Sequence, residues 1–329
     1  MDLVLILTSS LREAVGPTAA FYALIVVGLN VHFGYTGLLN FGQAGFAMIG
    51  AYGVGVFVDY FGWSLWLALP MGLLGGLLFA LLLGLPTLRL RGDYFAITTI
   101  AAAEILRTAI RSSWAAPVTG GTAGIGDVAG DFARTSPIGG RVHIWGAWSY
   151  LGSNVWSGLW TWAMVLLVVL IVYLLMRSPW GRVLRAIRED EDAARALGKN
   201  VVAYKLQSLC LGGVIGALGG IMLTLQNSSV VDSSFQPRVT FFAYAALILG
   251  GAATTWGPVL GSMLFWFLFT FSTQFLSGAR AQGWLPGFLG DSASGGIVVL
   301  ATVGLVIIFL MIFRPQGVLG NRQELMIDA

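Results

Sequence analysis

Runs of mostly apolar residues near 17–33, 41–58, 64–85, 94–111, 158–176, 205–226, 239–276 and 295–313 fill most of this 329-residue chain. A helix of about 20 such residues crosses the hydrocarbon core of a bilayer, because each residue adds about 1.5 Å. Only 10% of the residues are charged and 57% are hydrophobic, against about 25% charged in a water-soluble domain. No soluble fold hides that much apolar surface. The expectation is an all-α integral membrane protein, multi-pass in the cell (plasma or inner) membrane. It forms a single domain over 1–329, with about eight transmembrane helices plus broken or re-entrant segments. The 45 glycines fit the same picture, since small residues let helices approach closely in lipid.

The run 239–276 is too long for one span and is interrupted by GGAATTWGP, Gly250 to Pro258. Two shorter helices are expected there, at least one of them not fully crossing. Orientation follows from the longest basic interruption, about 177–205, with Arg177, Arg182, Arg185, Arg188, Arg195, Lys199 and Lys205. Basic loops stay in the cytoplasm. Counting spans from that loop places Arg89 and Arg91 inside, and Arg314 and Arg322 inside if 239–276 crosses an even number of times. The stretch 112–157, containing TGGTAGIG (Thr119 to Gly126), then faces outside, either as a plain loop or as a docking or gating surface.

The net charge of +3 comes from few basic residues concentrated between apolar runs. It encodes orientation, not a nucleic-acid footprint. His32 and His143 are far apart and unaccompanied by cysteine or clustered carboxylates, so no metal site of usual spacing is expected. ARALGKN lacks the first glycine and the hydroxyl residue of a phosphate-binding loop. This chain is therefore expected to hold no cofactor and to be no enzyme; if ATP drives it, another chain hydrolyses it. Cys210, the lone cysteine, reads as a buried inert thiol.

Polar and glycine breaks within apolar runs mark candidate cavity walls. GYTGLLNFGQAG carries Gly34, Gly37, Asn40, Gly42 and Gln43, and the break at 250–258 carries Gly250 and Gly251. Paired broken segments in the two halves of a chain point to a transporter's path. For Asn40 and Gln43, path lining and helix packing are equally open. Gly72-x-x-x-Gly76, Gly212-x-x-x-Gly216-x-x-x-Gly220 and Gly257-x-x-x-Gly261 read as packing seams. Glu104 is the acidic residue placed within a confident span. It either pairs with Arg107 one turn on or faces the path, where it would meet a substrate ammonium. Asp232, Gln236 and Arg238 read as an outside loop, solvated or engaging a partner.

The basic loop is helix-compatible, with Val183, Leu184, Ile187, Ala194 and Leu197 on one side and Arg185, Arg188, Asp192 and Arg195 on the other. A pair of amphipathic helices at the cytoplasmic surface is expected, as a solvated loop or as a coupling element gripped by a soluble partner. Asp192-Ala193-Ala194-Arg195-Ala196-Leu197-Gly198 resembles the coupling motif of ABC importer permeases, Glu-Ala-Ala, three residues, Gly. Asp for Glu keeps the charge and shortens the reach.

Four further stretches extend the likeness: Gly28 to Tyr52, Leu90 to Arg107, Thr119 to Ile125 and Leu247 to Ser262. With the loop, and in this order, they resemble the branched-chain amino acid ABC transporter permease family over roughly 16–320. The resemblance implies a second homologous permease subunit, two ATP-binding subunits that use the ATP, and an extracytoplasmic solute-binding protein. It implies that Arg182, Arg185, Arg188, Glu191, Asp192, Ala193, Ala194 and Gly198 couple to the ATP-binding subunits. Branched-chain amino acids are the implied substrates; similar permeases carry urea, short amides or other amino acids. An ion-coupled secondary transporter is the rival of another class and would need buried ion ligands beyond Glu104.

Overall fold

The computed structural model describes residues 3–90, 92–138, 140–144 and 148–282, and beyond those positions 301, 304, 305, 308, 309, 312 and 316–320. Helices dominate. α1 (Leu3–Ala14) precedes α2 (Pro17–Leu29), which runs on as a π-helical segment, Asn30–Tyr35. After an unwound stretch come α3 (Gln43–Asp59), α4 (Leu65–Thr87) and α5 (Gly92–Arg111). Two short helices, α6 (Ala116–Thr119) and α7 (Gly130–Arg134), lead to an antiparallel hairpin of β1 (Arg141–Ile144) and β2 (Trp148–Leu151), a small exception to the all-helical expectation. Then follow α8 (Gly152–Arg177), α9 (Pro179–Glu189), α10 (Glu191–Ala196), α11 (Val201–Asn227), a 3-10 turn (Asp232–Phe235), α12 (Pro237–Gly250) and α13 (Gly257–Ala281).

Six of the eight expected spans are single helices within a few residues of their expected ends. The seventh, 239–276, is the broken pair α12 and α13, parted at Gly251–Trp256 as GGAATTWGP requires. The eighth, 295–313, lies outside the described residues apart from isolated positions, as do Arg91, Arg314 and Arg322. Among the described residues five helices are long and apolar enough to cross a membrane: Pro17–Tyr35, Leu65–Thr87, Gly152–Arg177, Val201–Asn227 and Gly257–Arg280. The chain is a multi-pass membrane protein. At 12 residues α1 is about 18 Å long, too short to cross, and it packs along α13, where the Ser9 hydroxyl donates to Gln274 at 2.7 Å.

α2 sits at the centre, apolar on every side and buried on nearly every side, between α3, α8, α11, α12 and α13. The seams around α11 depend on glycine. A Cβ on Gly213 would meet the Phe46 ring at 2.6 Å and one on Gly76 would meet Ala217 at 2.6 Å, while Gly220 rests directly on the Ala47 carbonyl. α4 and α8 instead turn leucines outward, among them Leu78, Leu82, Leu170 and Leu174, the signature of lipid-facing walls.

The two ends of the bundle are fixed by contacts. At one, Gln226 donates to the Pro17 carbonyl (3.1 Å) and the TGGTAGIG stretch docks through the Ile125–Val230 bridge. At the other lie α9, α10 and Arg89, with residues 316–320 bonded to the end of α12. The basic end is the one expected in the cytoplasm.

Gly220→Val drives side-chain atoms into the α3 backbone and is expected to cost about 2 kcal/mol. Thermal unfolding in detergent reads this as a lower Tm, whereas Gly126→Ala, with nothing within 4 Å of the added carbon, leaves Tm unchanged.

Candidate functional site

Where α2 ends, the chain unwinds inside the protein. The π-helical segment gives way to Gly37, whose φ of +74° is open to glycine at little cost, and regular helix resumes at Gln43. Non-helical backbone at membrane depth survives only where protein satisfies its polar groups. Two helices supply the partners. Phe41 N donates to Thr99 Oγ1 of α5 (3.0 Å), Ala44 N donates to Thr240 Oγ1 of α12 (3.0 Å), and the Tyr244 hydroxyl of α12 donates to the Asn40 carbonyl (3.2 Å).

Beneath this backbone lies a knot of fully buried side chains, His32, Asn40 and Gln43. Asn40 Nδ2 donates to His32 Nδ1 (3.0 Å) and to Gln43 Oε1 (3.2 Å), while Asn40 Oδ1 accepts from Gly42 N (2.9 Å). That pattern assigns the His32 hydrogen to Nε2, which donates to the Leu209 carbonyl of α11 (3.2 Å). Gln43 Nε2 donates to the Gly212 carbonyl of α11 (3.1 Å). Gly28 and Gly212 leave room for the knot: a Cβ on Gly28 would lie 2.6 Å from Gln43 Nε2. Asn40 and Gln43 thus face packed protein in this conformation. Nothing in the sequence alone flagged His32, Thr99, Thr240 or Tyr244 as their partners. The usable signal was the unwound stretch itself, whose freed amides had to be met by hydroxyls on neighbouring spans.

The second break packs against the first. Asn30, at the start of the π-helical segment, grips it with both ends of its amide: Nδ2 donates to the Thr254 carbonyl and Oδ1 accepts from Ala253 N, each at 2.9 Å. Gly251 adopts φ +107°, which favours glycine, and Gly250 lies against Gly257 and Gly261 at the α12–α13 crossing. Val318 N and Leu319 N donate to the carbonyls of Leu249 and Gly250 (2.9 and 3.1 Å). Gly250 and Gly251 therefore shape the turn and its docking.

The basic loop is a helix pair. Pro179 opens α9 behind Ser178, and Asp190 caps α10 by accepting from Asp192 N and Ala193 N (both 2.9 Å). Asp190 thus serves as the joint between the two helices. Leu184, Ile187 and Ala194 are buried as expected, but Leu197 is 80% exposed. Gly198, at φ +77°, forms the turn into α11.

The coupling residues expected from the motif divide into two sets. Arg182, Asp192, Ala193 and Gly198 face outward. Arg185 and Arg188 reach inward: Arg185 Nη2 donates to the Met176 carbonyl at the end of α8, and Arg188 Nη1 to the Gly34 carbonyl in the π-helical segment, both at 2.6 Å. Glu191 is engaged by Arg195 (2.9 Å) and by Lys205 of α11, and Ala194 is buried against α9 and α11. Arg188, Glu191, Lys205 and Arg89 border an open cleft of about 860 Å³ between the helix pair, the 36–39 stretch and the α4–α5 turn.

Near the other end, Arg107 forks onto Glu104, with Nε 3.0 Å from Oε2, and reaches Asp232 with Nη1 2.9 Å from Oδ2. The pairing of Glu104 with Arg107 is thus present. Asp232, read from sequence in an outside loop, is buried and ion-paired.

Asn40→Ala strands the Gly42 amide, His32 Nδ1 and Gln43 Oε1 and is expected to cost about 3 kcal/mol. Thermal unfolding of the purified chain measures that loss.

The family model for the branched-chain amino acid transport system permease component matches residues 15–314. The high-affinity branched-chain amino acid transport system permease protein LivM of Escherichia coli (strain K12) is 31% identical over 312 residues, 91% of this chain and 67% of that protein. A probable branched-chain amino acid transport permease protein LivM of Methanocaldococcus jannaschii is 27% identical, covering 74% of this chain and 76% of its own. A nucleoside ABC transporter permease protein of Lactococcus lactis is 27% identical over 86% of this chain and 85% of its own. No solved structure matches the chain. With helices, breaks and cytoplasmic helix pair in this arrangement, the chain belongs to the family of permease components of branched-chain amino acid transport systems.

Proposed function

We propose that this chain is one half of the membrane pathway of an ABC importer for branched-chain amino acids. A homologous permease subunit forms the other half, an extracytoplasmic binding protein delivers the substrate, and two ATP-binding subunits supply the energy. ATP is used by those subunits and no cofactor is bound by this chain.

The observation that carries this reading is the Arg188–Gly34 hydrogen bond. A cytoplasmic helix pair that presents Arg182, Asp192, Ala193 and Gly198 outward is tied, through Arg188, to the π-helical segment in the core. Displacement of α9 by a soluble motor is thereby delivered to backbone that is already broken and held by side chains, not by a continuous helix. From Gly34 the connection runs four residues back to Asn30 and across to Ala253 and Thr254 in the second break. Both breaks then respond to one input, which suits alternating access around a central path. Asn40, Gln43, Gly250 and Gly251 belong to this moving core and meet the path when it opens.

Reconstitution with the neighbouring subunits tests the assignment. The complete set is expected to import leucine, isoleucine and valine with ATP, and leucine is expected to outcompete urea, acetamide and guanosine at the binding protein. Uptake by this chain alone, driven by an ion gradient without ATP, overturns it. Arg188→Ala is expected to lower the leucine imported per ATP hydrolysed about tenfold, the worth of one charge-assisted hydrogen bond, while the complex still assembles. Gly198→Ala strains the α10–α11 turn by about 1 kcal/mol, and co-purification of the ATP-binding subunits is expected to weaken.

A further inference from the structure

The outward-facing side of α5 differs from the leucine-rich outer faces of α4 and α8. Where α4 and α8 expose leucines, the outer half of α5 exposes Ala101, Ile105 and Thr108, with Glu104 among them. Glu104 lies about 18 Å along the helix from Gly92, and its side chain is 41% exposed. A carboxylate on this face is costly against lipid and tolerable against a water-filled path.

The charges around it do not cancel. Arg107 serves two carboxylates, Glu104 and Asp232, so the triad carries a net charge of −1, by the sum +1 −1 −1. Arg107 and Asp232 are largely buried, at 16% and 8% exposure, and Glu104 is the member that a ligand reaches. Behind the triad, α3 packs on the 232–235 turn and brings Tyr52 within electrostatic reach of Asp232. Among the described residues the buried Tyr52 hydroxyl has no hydrogen-bond partner. The triad, two carboxylates on one counter-charge and backed by that orphaned hydroxyl, is an incomplete polar site.

We propose that Glu104, oriented by Arg107, receives the α-ammonium group of the transported amino acid at the outer mouth of the path. This rests on the amino-acid import reading above and adds the residue that selects for a charged amine. An ammonium supplies the missing positive charge and N–H donors that an exposed carboxylate accepts. A neutral amide or a sugar brings no such charge, so the triad discriminates by charge.

The test is leucine uptake by the complete transporter in proteoliposomes, normalised to assembled complex, for wild type, Glu104→Gln and Glu104→Asp. Gln keeps the size and a hydrogen bond to Arg107 and removes the charge; Asp keeps the charge. Uptake at saturating loaded binding protein is expected to fall about tenfold in Glu104→Gln, the factor for one charge-assisted hydrogen bond. Glu104→Asp is expected to recover part of that loss, with both variants unfolding near the wild-type temperature. Wild-type uptake by Glu104→Gln overturns the proposal. So does a loss that Glu104→Asp shares in full and that follows a lowered unfolding temperature, the mark of a structural ion pair. A wild-type complex that imports none of the three branched-chain amino acids overturns the import reading itself, and this assignment with it.

Discussion

Unwound backbone inside a membrane has nowhere to turn for hydrogen bonds except to the protein around it. The stretch between the π-helical segment and α3 meets that demand through Thr99, Thr240 and Tyr244, drawn from α5 and α12. Those partners fix where the two helices stand. The His32–Asn40–Gln43 knot extends the same demand to α11, whose Leu209 and Gly212 carbonyls accept from it. Three helices are thus organised around one interruption, and the glycines of α2 and α11 exist at these levels because the knot leaves no room for a Cβ.

A core built on an interruption is suited to movement. A continuous helix transmits a push along its axis; a segment held by side-chain hydrogen bonds can exchange one set of partners for another. Arg188 and Asn30 join that segment to the cytoplasmic helix pair and to the turn between α12 and α13. Arg182, Asp192, Ala193 and Gly198 face outward from the helix pair, while Arg185 and Arg188 anchor it to the bundle.

Most of the helices were legible in the sequence because length and apolarity alone decide a span. The break at 250–258 was legible for the same reason, since 239–276 exceeds one crossing and carries glycine and proline where it must bend. Partnerships were less so. Arg185 and Arg188 read as outward because they fall on the polar side of a helical wheel, yet their long stems carry the guanidinium groups back to backbone carbonyls that no wheel depicts. Asp232 read as solvated because the turn after α11 is polar; only the three-dimensional approach of Arg107 buries it. His32 read as isolated because its partners, eight and 177 residues away, converge only once the chain folds.

The central claim is that α9 and the broken core move as one body. Distances between spin labels at Arg182→Cys on α9 and Trp256→Cys in the 251–256 turn, both exposed positions, in a Cys210→Ser background, test it most directly. The pair is expected to keep one distance in the nucleotide-free and ATP-bound states of the complete transporter, while either label moves relative to the outer end of α8. A distance that changes between the two states as the outer-end distances stay fixed would contradict the claim.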